Sequence, residues 1–357
     1  MTDTSLLQSR PHFQILDGMR GIAAIAIVVF HFMEWIYAPE KNFIGHGFLA
    51  VDFFFCLSGF VIGYAYDKRL PQIGLKQFFL SRLIRLQPMV MLGSVLGLLT
   101  FLCDPFTTFQ FSYPVTKILL LFICSLLLIP LPIMEEWSFN LFGLNAPAWS
   151  LFWEYVANII YAFVLVRLPR RFLFFILIFF GAGLFYVAAT KGNLLGGWAG
   201  ENFWDGGIRI GYSFTAGLLI HRYQLIIKNK LGFFLPAALL VLAFISPHLP
   251  NNGIIEACIV TMYFPLLVSL GAGSTLHPKM IAACKLLGDI SYPLYMSHYA
   301  FIWIFGNYFL QYKPTTVTLV WIIIGGSLLL IFFSWLIMKF YDMPVRKFFT
   351  RLRMKRN

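Results

Sequence analysis

The amino-acid sequence predicts an all-α, polytopic integral membrane protein, and its composition, apolar segments and charge distribution each indicate this class. Of the 357 residues, 59% are hydrophobic and 12% are charged, whereas about a quarter of a soluble domain is charged. The formal net charge is +12, but Lys and Arg occur in short runs between apolar segments. That arrangement is typical of membrane topology, so a lipid bilayer is an expected partner and a nucleic acid is not.

Eleven apolar segments have roughly the length that spans a bilayer, about 17 to 25 residues. They are 21–37, 47–66, 86–103, 117–134, 149–166, 171–189, 207–222, 232–247, 254–272, 286–309 and 315–339. The positive-inside rule puts the basic clusters between them in the cytoplasm. Both termini are therefore expected there, with a polar N-terminal segment at 1–14 and a basic tail at 340–357.

One stretch does not fit simple alternation across the membrane. Three apolar segments, 86–103, 117–134 and 149–166, lie between basic clusters that both belong in the cytoplasm, so an even number of crossings is required. One of the last two is expected to be re-entrant, or to lie flat and buried in protein. We assign this to 117–134, because Pro130 and Pro132 interrupt its end. The prediction is about ten transmembrane helices plus one possible re-entrant segment.

A single transmembrane domain over residues 1–357 is expected, because no stretch between the apolar segments is long enough for a second folded unit. The first apolar segment is followed by no small-residue cleavage site and is expected to stay as a signal anchor. The five cysteines form no C-x-x-C pair, so neither a zinc site nor a disulfide framework is indicated. No metal is expected.

The first apolar segment carries two polar residues in register. His31 follows Arg20 by eleven residues, which is about 16 Å along a helix axis and within about 20° of the same direction. A polar track is therefore expected to lead inward from the cytoplasmic surface to a group that titrates near neutral pH.

Ionisable groups within a bilayer are costly, which makes Asp52, Glu154, Arg209 and His298 functional candidates as well. Asp52 and His31 are each expected about 7–9 Å below the outer surface. There the carboxylate would orient the imidazole and raise its basicity. The alternative is a structural ion pair that only satisfies two buried polar groups.

Basic residues cluster where the third apolar segment meets the cytoplasm. Arg82 and Arg85 lie three residues apart, on one face of a helix. With Arg20 and Lys76 they would form an anion site suited to phosphates. The alternative is that these charges only set the topology. Gly59 and Gly63 form a G-x-x-x-G pattern, which indicates close helix packing.

The ordered motifs of the chain match a known family nearly end to end. They are Leu16-Asp17-Gly18-Met19-Arg20-Gly21 with His31, Val51-Asp52-Phe53-Phe54-Phe55-Cys56-Leu57-Ser58-Gly59-Phe60, Arg82-Leu83-Ile84-Arg85, Asn145-Ala146-Pro147-Ala148-Trp149-Ser150-Leu151-Phe152-Trp153-Glu154, Ser291-Tyr292-Pro293-Leu294-Tyr295 with His298, and Tyr341-Asp342-Met343-Pro344-Val345-Arg346-Lys347. In these motifs the chain resembles the acyltransferase-3 group of bacterial membrane acyltransferases, which O-acetylate surface polysaccharides. Relatives often carry an extracytoplasmic esterase-like domain, which is not expected here.

The resemblance implies ten helices in the bacterial inner membrane and acetyl-CoA as the donor. It also implies a catalytic role for His31, with Arg20, Asp52, Arg82 and Arg85 essential or supporting. The basic cytoplasmic mouth would hold the donor's phosphates, and its long arm would carry the thioester to His31. His31 would act as a general base on a sugar hydroxyl or carry the acetyl group itself.

The expected acceptor is lipopolysaccharide O-antigen or its lipid-linked precursor. Glu154 and His298 are expected on the acceptor side, and Trp149 and Trp153 either stack on a sugar ring or belong to the interfacial aromatic belt. Ser58 and Tyr292, which lie within the matching motifs, complete the predicted substrate-binding set.

Two alternatives stay open at this stage. Intramembrane His, Asp and Glu also mark the proton pathways of transporters, although no internal inverted repeat is visible to support one. The acyl group could instead go to exopolysaccharide, peptidoglycan or a small molecule.

Overall fold

The computed structural model describes residues 13–355, so residues 1–12 of the predicted polar segment and the last two residues of the basic tail lie outside the described range. Thirteen α-helices make up most of that range. They are α1 (Gln14–Glu34), α2 (Ala50–Tyr66), α3 (Leu70–Cys103), α4 (Val115–Leu127), α5 (Ala148–Ile160), α6 (Arg170–Lys191), α7 (Phe203–Arg222), α8 (Phe234–Phe244), α9 (Asn252–Cys258), α10 (Phe264–Gly273), α11 (Ile281–Tyr312), α12 (Thr316–Ile337) and α13 (Met343–Lys355). The predicted all-α polytopic fold is confirmed.

Seven helical stretches in the described part of the chain are long and apolar enough to cross a membrane. They are Gln14–Glu34, Gly47–Tyr66, Leu70–Cys103, Ala148–Leu165, Arg170–Lys191, Asn252–Gly273 and Thr316–Met354. Helices α7 and α11 have 20 and 32 residues but are not among the seven, because they carry more polar side chains. Helices α4 and α8 are apolar but shorter. The count of ten crossings and the side on which each loop lies stay predictions.

The helix in the predicted irregular segment 117–134 is short. Helix α4 has 13 residues, about 20 Å, whereas the hydrocarbon core is about 30 Å thick. It ends at Leu127, and the C-cap residue Leu128 has a left-handed backbone with φ 55°, just before Pro130 and Pro132. The other candidate for the irregular segment is helical from 148 to 165. This geometry fits the choice of 117–134, although re-entry into the membrane stays a prediction.

Helices α2 and α7 pack with their backbones in contact. A Cβ atom on Gly59 would lie 2.0 Å from the carbonyl oxygen of Phe214, and one on Gly217 would lie 1.9 Å from that of Cys56. Only glycine allows such a reciprocal approach, so the close packing predicted at Gly59 is confirmed.

Helices α1 and α11 form the other intimate pair. A Cβ atom on Gly21 would lie 2.6 Å from the carbonyl oxygen of Leu287, and the indole of Trp35 fills the corresponding position at Gly306. From the first contact to the second, the residue numbers increase along both helices. Helices α1 and α11 are therefore parallel. They therefore hold their polar residues side by side at matching depths.

Candidate active site

Two cavities within the described part of the helical bundle are lined by predicted site residues. The first, which we call the large cavity, has a volume of about 760 Å³ and is lined by His31, Glu34, Trp149 and Arg209 among others. The loops that border it are those the charge pattern predicts to be outside the cytoplasm. The second, which we call the basic cavity, has a volume of about 160 Å³. Its lining includes Arg20, Ser58, Arg82, Arg85, Glu154 and Tyr292.

His31 and Glu34 form an imidazole–carboxylate dyad in the last turn of α1. The His31 Nδ1 atom lies 2.6 Å from Oε1 of Glu34. A carboxylate accepts hydrogen bonds, so Nδ1 carries the proton and Nε2 presents a lone pair. The ring is therefore oriented as a general base toward a substrate in the large cavity.

The second imidazole, His298, stacks on the first. Its ring centroid lies 5.3 Å from that of His31, with the planes 27° apart. The His298 Nδ1–H group donates to the carbonyl oxygens of Leu294 and Tyr295, at 3.1 and 2.9 Å. The residue is fully buried, and its Nε2 atom has no hydrogen-bond partner in the described range. His298 is therefore a predicted site residue that the structure brings into direct contact with His31.

The expectation that Asp52 orients His31 is wrong. Arg209 donates to both carboxylate oxygens of Asp52, from Nε at 3.1 Å and from Nη2 at 2.6 Å. The close α2–α7 packing brings this guanidinium to the carboxylate, and the pair is buried. Asp52 therefore belongs to a structural ion pair with a partner that the sequence did not reveal.

The missed orienting residue is Glu34. Its spacing of three residues from His31 could have indicated this contact, because side chains three apart share a helix face. The predicted partner, Asp52, lies on a neighbouring helix instead.

The basic cavity contains the predicted arginines in different states of pairing. Arg20 donates to Oγ of Ser291 at 2.9 Å and to the carbonyl oxygen of Gly288 at 2.8 Å. Arg82 donates from Nη2 to Glu154 at 2.9 Å, while its Nε atom is buried and unpartnered in the described range. Lys76 is exposed and lies outside the cavity lining.

Arg85 makes no hydrogen bond or salt bridge within the described residues. Its guanidinium is half-buried, and the charged group that acts on it from the C-terminal part of the chain is the Asp342 carboxylate. Such a guanidinium on a cavity wall is suited to bind an anionic group from solution.

Glu154 does not lie on the acceptor side, as predicted, but in the basic cavity. It accepts hydrogen bonds from Arg82 and, at 3.0 Å, from Ser58. The reason is its position on α5, about 8 Å along the axis from Trp149, which lines the large cavity. One helix therefore supplies a residue to each cavity.

Of the other predicted substrate-binding residues, two line the basic cavity and one lines neither. Ser58 and Tyr292 border the basic cavity, where the Tyr292 hydroxyl donates to the carbonyl oxygen of Leu86 at 2.6 Å. Trp153 lies outside both cavity linings. Its ring packs on Phe203, with centroids 4.8 Å apart, so its contacts are with protein.

Tyr295 forms the partition between the two cavities. It lines both of them, as does Val51. The Tyr295 hydroxyl lies 2.8 Å from Oγ of Ser150, in a hydrogen bond between two buried residues. A substrate that reached from one cavity into the other would have to pass this bond.

One cluster in the described range has the residue types of a metal site. His46, His248 and Glu256 place possible ligand atoms within 4.8 Å of one another. However, the two rings stack with centroids 4.4 Å and planes 17° apart, so their in-plane lone pairs do not converge. Both His46 nitrogens lie 3.0 Å from oxygens, of Ser246 and Asn252. In this arrangement the cluster is a hydrogen-bonded group.

Burial and the adjacent His248 lower the pKa of the His46 imidazole below its usual value. Burial thus favours the neutral form of the His46 imidazole.

Comparison with known proteins gives one match that covers most of the chain. A family model described as an acyltransferase domain matches residues 13–339. No solved structure matches.

Individual relatives cover smaller parts. Protein 2 in the picA locus of Rhizobium radiobacter is 36% identical over 165 residues, which are 43% of this chain and 84% of that protein. A putative O-acetyltransferase of Staphylococcus aureus (strain COL) is 37% identical over 91 residues, 24% of this chain and 14% of its own length. The peptidoglycan O-acetyltransferase OatA of Listeria monocytogenes is 34% identical over 85 residues, 23% of this chain and 12% of OatA.

Proposed function

Since the chain belongs to the acyltransferase domain family and is a multi-pass membrane O-acetyltransferase, we propose that it moves an acetyl group from cytosolic acetyl-CoA to a hydroxyl of a bacterial surface glycan. The proposed acceptor is lipopolysaccharide O-antigen or its lipid-linked precursor, and the proposed location is the bacterial inner membrane. The observation that carries the proposal is the pair of cavities that meet at Tyr295. One contains the Arg85 guanidinium, which makes no hydrogen bond or salt bridge within the described residues, and the other contains an imidazole–carboxylate dyad.

The donor half of the proposal rests on charge and size. Arg85 and the unpartnered Nε of Arg82 offer donors to phosphate oxygens. A volume of about 160 Å³ is below the range of whole-ligand pockets, about 300–1,000 Å³. The nucleotide would therefore stay at the mouth while the narrow pantetheine arm enters. The arm then leads past Tyr295 to the large cavity.

The chemical half assigns His31 the proton transfer. Its Nε2 atom accepts the proton of the acceptor hydroxyl as the hydroxyl oxygen attacks the thioester carbonyl carbon. The negative charge of Glu34 stabilises the imidazolium that forms. The C–S bond then breaks, and the departing CoA sulfur takes up the proton from His31. Alternatively, Nε2 attacks the thioester first and carries the acetyl group to the acceptor.

Peptidoglycan is the second candidate acceptor. The observation that favours it is the similarity to the Listeria peptidoglycan O-acetyltransferase, which covers 85 residues.

The test is release of free CoA by purified protein given acetyl-CoA with and without glycan. We expect His31→Ala to lower the rate at least 100-fold, the contribution of one general base. His277→Ala, which changes an exposed loop histidine, is the matched control and is expected to keep the wild-type rate. Wild-type turnover by His31→Ala would overturn the proposed mechanism.

A further inference from the structure

Three tryptophans that no sequence motif singled out form one wall of the large cavity. Trp35 lies just after α1, Trp137 precedes α5 and Trp303 lies on α11, and all three line the cavity. The rings of Trp137 and Trp303 stack with centroids 4.4 Å apart and planes 9° apart. Trp35 meets Trp303 edge to face, with centroids 5.9 Å apart. We call these three residues the tryptophan wall.

The tryptophan wall carries hydrogen-bond donors without acceptors. The indole N–H groups of Trp35, Trp137 and Trp303 are buried, and none has a partner within residues 13–355. Trp137 and Trp303 are only 5% and 8% exposed. Buried unpaired donors are destabilising, so their recurrence at one wall indicates that a ligand supplies the acceptors. Aromatic faces beside N–H donors fit a sugar, which has apolar C–H faces and many oxygen acceptors.

The wall connects directly to the reacting imidazole. Tyr299 meets His31 edge to face, with centroids 4.7 Å apart, and meets Trp303 in the same manner at 5.0 Å. A sugar ring bound at the tryptophan wall would therefore be separated from His31 by no more than the side chain of Tyr299.

The charged side chains of the large-cavity lining are mainly carboxylates, and these are Glu34, Glu40, Glu136 and Glu256. Glu34 is hydrogen-bonded to His31, and the guanidinium of Arg209 is balanced by the buried Asp52. The lining therefore has an excess of carboxylates over guanidinium groups. An anionic sugar would meet this excess of like charge, whereas an uncharged or amino sugar would not be repelled by it.

We propose that Trp35, Trp137 and Trp303 form the acceptor-sugar subsite, and that the surrounding carboxylates restrict it to uncharged or amino-bearing sugars. The inference rests on the proposed function, because it names the acceptor class of that site. It excludes glycans built from uronic acids or phosphorylated sugars as good acceptors.

The test compares two tetrasaccharides of equal length as acceptors, with labelled acetyl-CoA and purified protein. Chitotetraose is uncharged, and tetragalacturonate carries four carboxylates. We expect kcat/KM to be at least tenfold higher for chitotetraose. Glu40→Gln removes an exposed charge from the rim of the cavity. It is expected to reduce the ratio of the two kcat/KM values by raising activity toward tetragalacturonate.

A second set of variants tests the wall itself. Trp137→Phe and Trp303→Phe keep an aromatic ring and remove only the N–H donor and part of the ring area. Each is expected to raise KM for chitotetraose about fivefold or more, and to shift the partition of acetyl-CoA from transfer toward hydrolysis. Trp321→Phe, at a 70% exposed position on α12, is the matched control and is expected to behave as wild type.

The outcomes separate this inference from the proposed function. Unchanged acceptor KM in both wall variants, or equal use of the two tetrasaccharides, would overturn the subsite. Hydrolysis that depends on His31 with neither tetrasaccharide acetylated would also overturn it, while leaving the donor half of the function standing. Hydrolysis by His31→Ala at the wild-type rate would overturn the function itself.

Discussion

At the scale of single residues, the proposed proton transfer depends on how the Glu34 carboxylate orients the His31 imidazole. Glu34 and His31 are on the same helix turn, and their hydrogen bond of 2.6 Å fixes which ring nitrogen faces the substrate. Both side chains are partly accessible from the large cavity. The role we propose for Glu34 is therefore to orient the ring and to stabilise the imidazolium formed during transfer, not to complete a buried ion pair.

Glu34→Gln tests that role. The amide keeps an oxygen that can accept from Nδ1 but loses the negative charge, so the ring stays oriented while the imidazolium is less stabilised. We expect kcat for acetyl transfer to fall about 10- to 100-fold, the range for residues that orient a reacting ligand, with little change in KM for acetyl-CoA. Glu135→Gln, at an exposed loop position, is the control. A kcat within twofold of wild type would show that Glu34 is dispensable.

Arg85 is the residue on which donor affinity is expected to depend. It makes no hydrogen bond or salt bridge within the described residues, so its removal breaks no direct contact and leaves only the charge effect on Asp342 to consider. Losing one charge-assisted hydrogen bond, about 1.5–3 kcal/mol, is expected to weaken acetyl-CoA binding about tenfold or more in Arg85→Ala, as measured by calorimetry. Arg171→Ala, an exposed arginine in another basic cluster, should bind as wild type. Equal affinity in the two variants would assign Arg85 to topology alone.

Single residues also show which features of the candidate site could be predicted from the sequence and which could not. The candidate positions His31 and His298 stand out in the sequence because imidazoles are rare in apolar segments. The partner of Asp52 did not, because Arg209 is 157 residues away and only the packed structure brings them together. Nothing in the pattern of charges distinguishes a carboxylate that meets an arginine from one that meets a histidine.

At the scale of helices, the junction of α2 and α7 combines close backbone packing with a buried ion pair. The glycine contacts at Gly59 and Gly217 set the distance between the helices. Arg209 and Asp52 then lock their register, with further hydrogen bonds from the guanidinium to the carbonyl oxygens of Gly196 and Phe48. Because the pair is buried, each charge depends on the other for compensation.

Removing one member of this pair is expected to be more damaging than removing both. Arg209→Met leaves the Asp52 carboxylate buried without its partner, at about 3–5 kcal/mol. We expect a clear fall in thermal unfolding temperature, followed by tryptophan fluorescence in detergent. The double variant Asp52→Asn with Arg209→Met is expected to recover at least half of the loss. If the single variant unfolds at the wild-type temperature, the pair does not stabilise the fold.

Helix boundaries were partly predictable. The apolar segments located the membrane helices, and Pro130 and Pro132 marked the short α4. The predicted segment 86–103 leaves out the first part of α3, which begins at Leu70 and is interrupted by a kink at Gly74, φ 75°. Hydropathy does not mark this part as helical, because it is more polar than the segment that follows.

At the scale of the whole molecule, the fold forms two cavities and one partition between them. The parallel pair α1 and α11 carries Arg20 and Ser291 to the basic cavity and His31 and Tyr299 to the large one. No sequence pattern encodes this division, because each cavity is lined by at least four helices or loops. A donor bound on one side and an acceptor on the other can react only if the thioester passes Tyr295.

Filling the partition should therefore block transfer without preventing donor binding. Tyr295→Trp places a larger ring between the cavities, whereas Tyr295→Phe keeps the ring and removes only the hydrogen bond to Ser150. We expect the Trp variant to lose at least 90% of acetyl transfer while its Kd for acetyl-CoA stays within threefold of wild type. The Phe variant should keep at least a third of the transfer rate.

Tyr312→Trp, on an exposed turn of the same helix, controls for the bulk of the substitution, and an unfolding scan controls for overpacking. Wild-type transfer by Tyr295→Trp would mean that the acyl group reaches His31 by another route, because no thioester arm could share that passage with an indole ring.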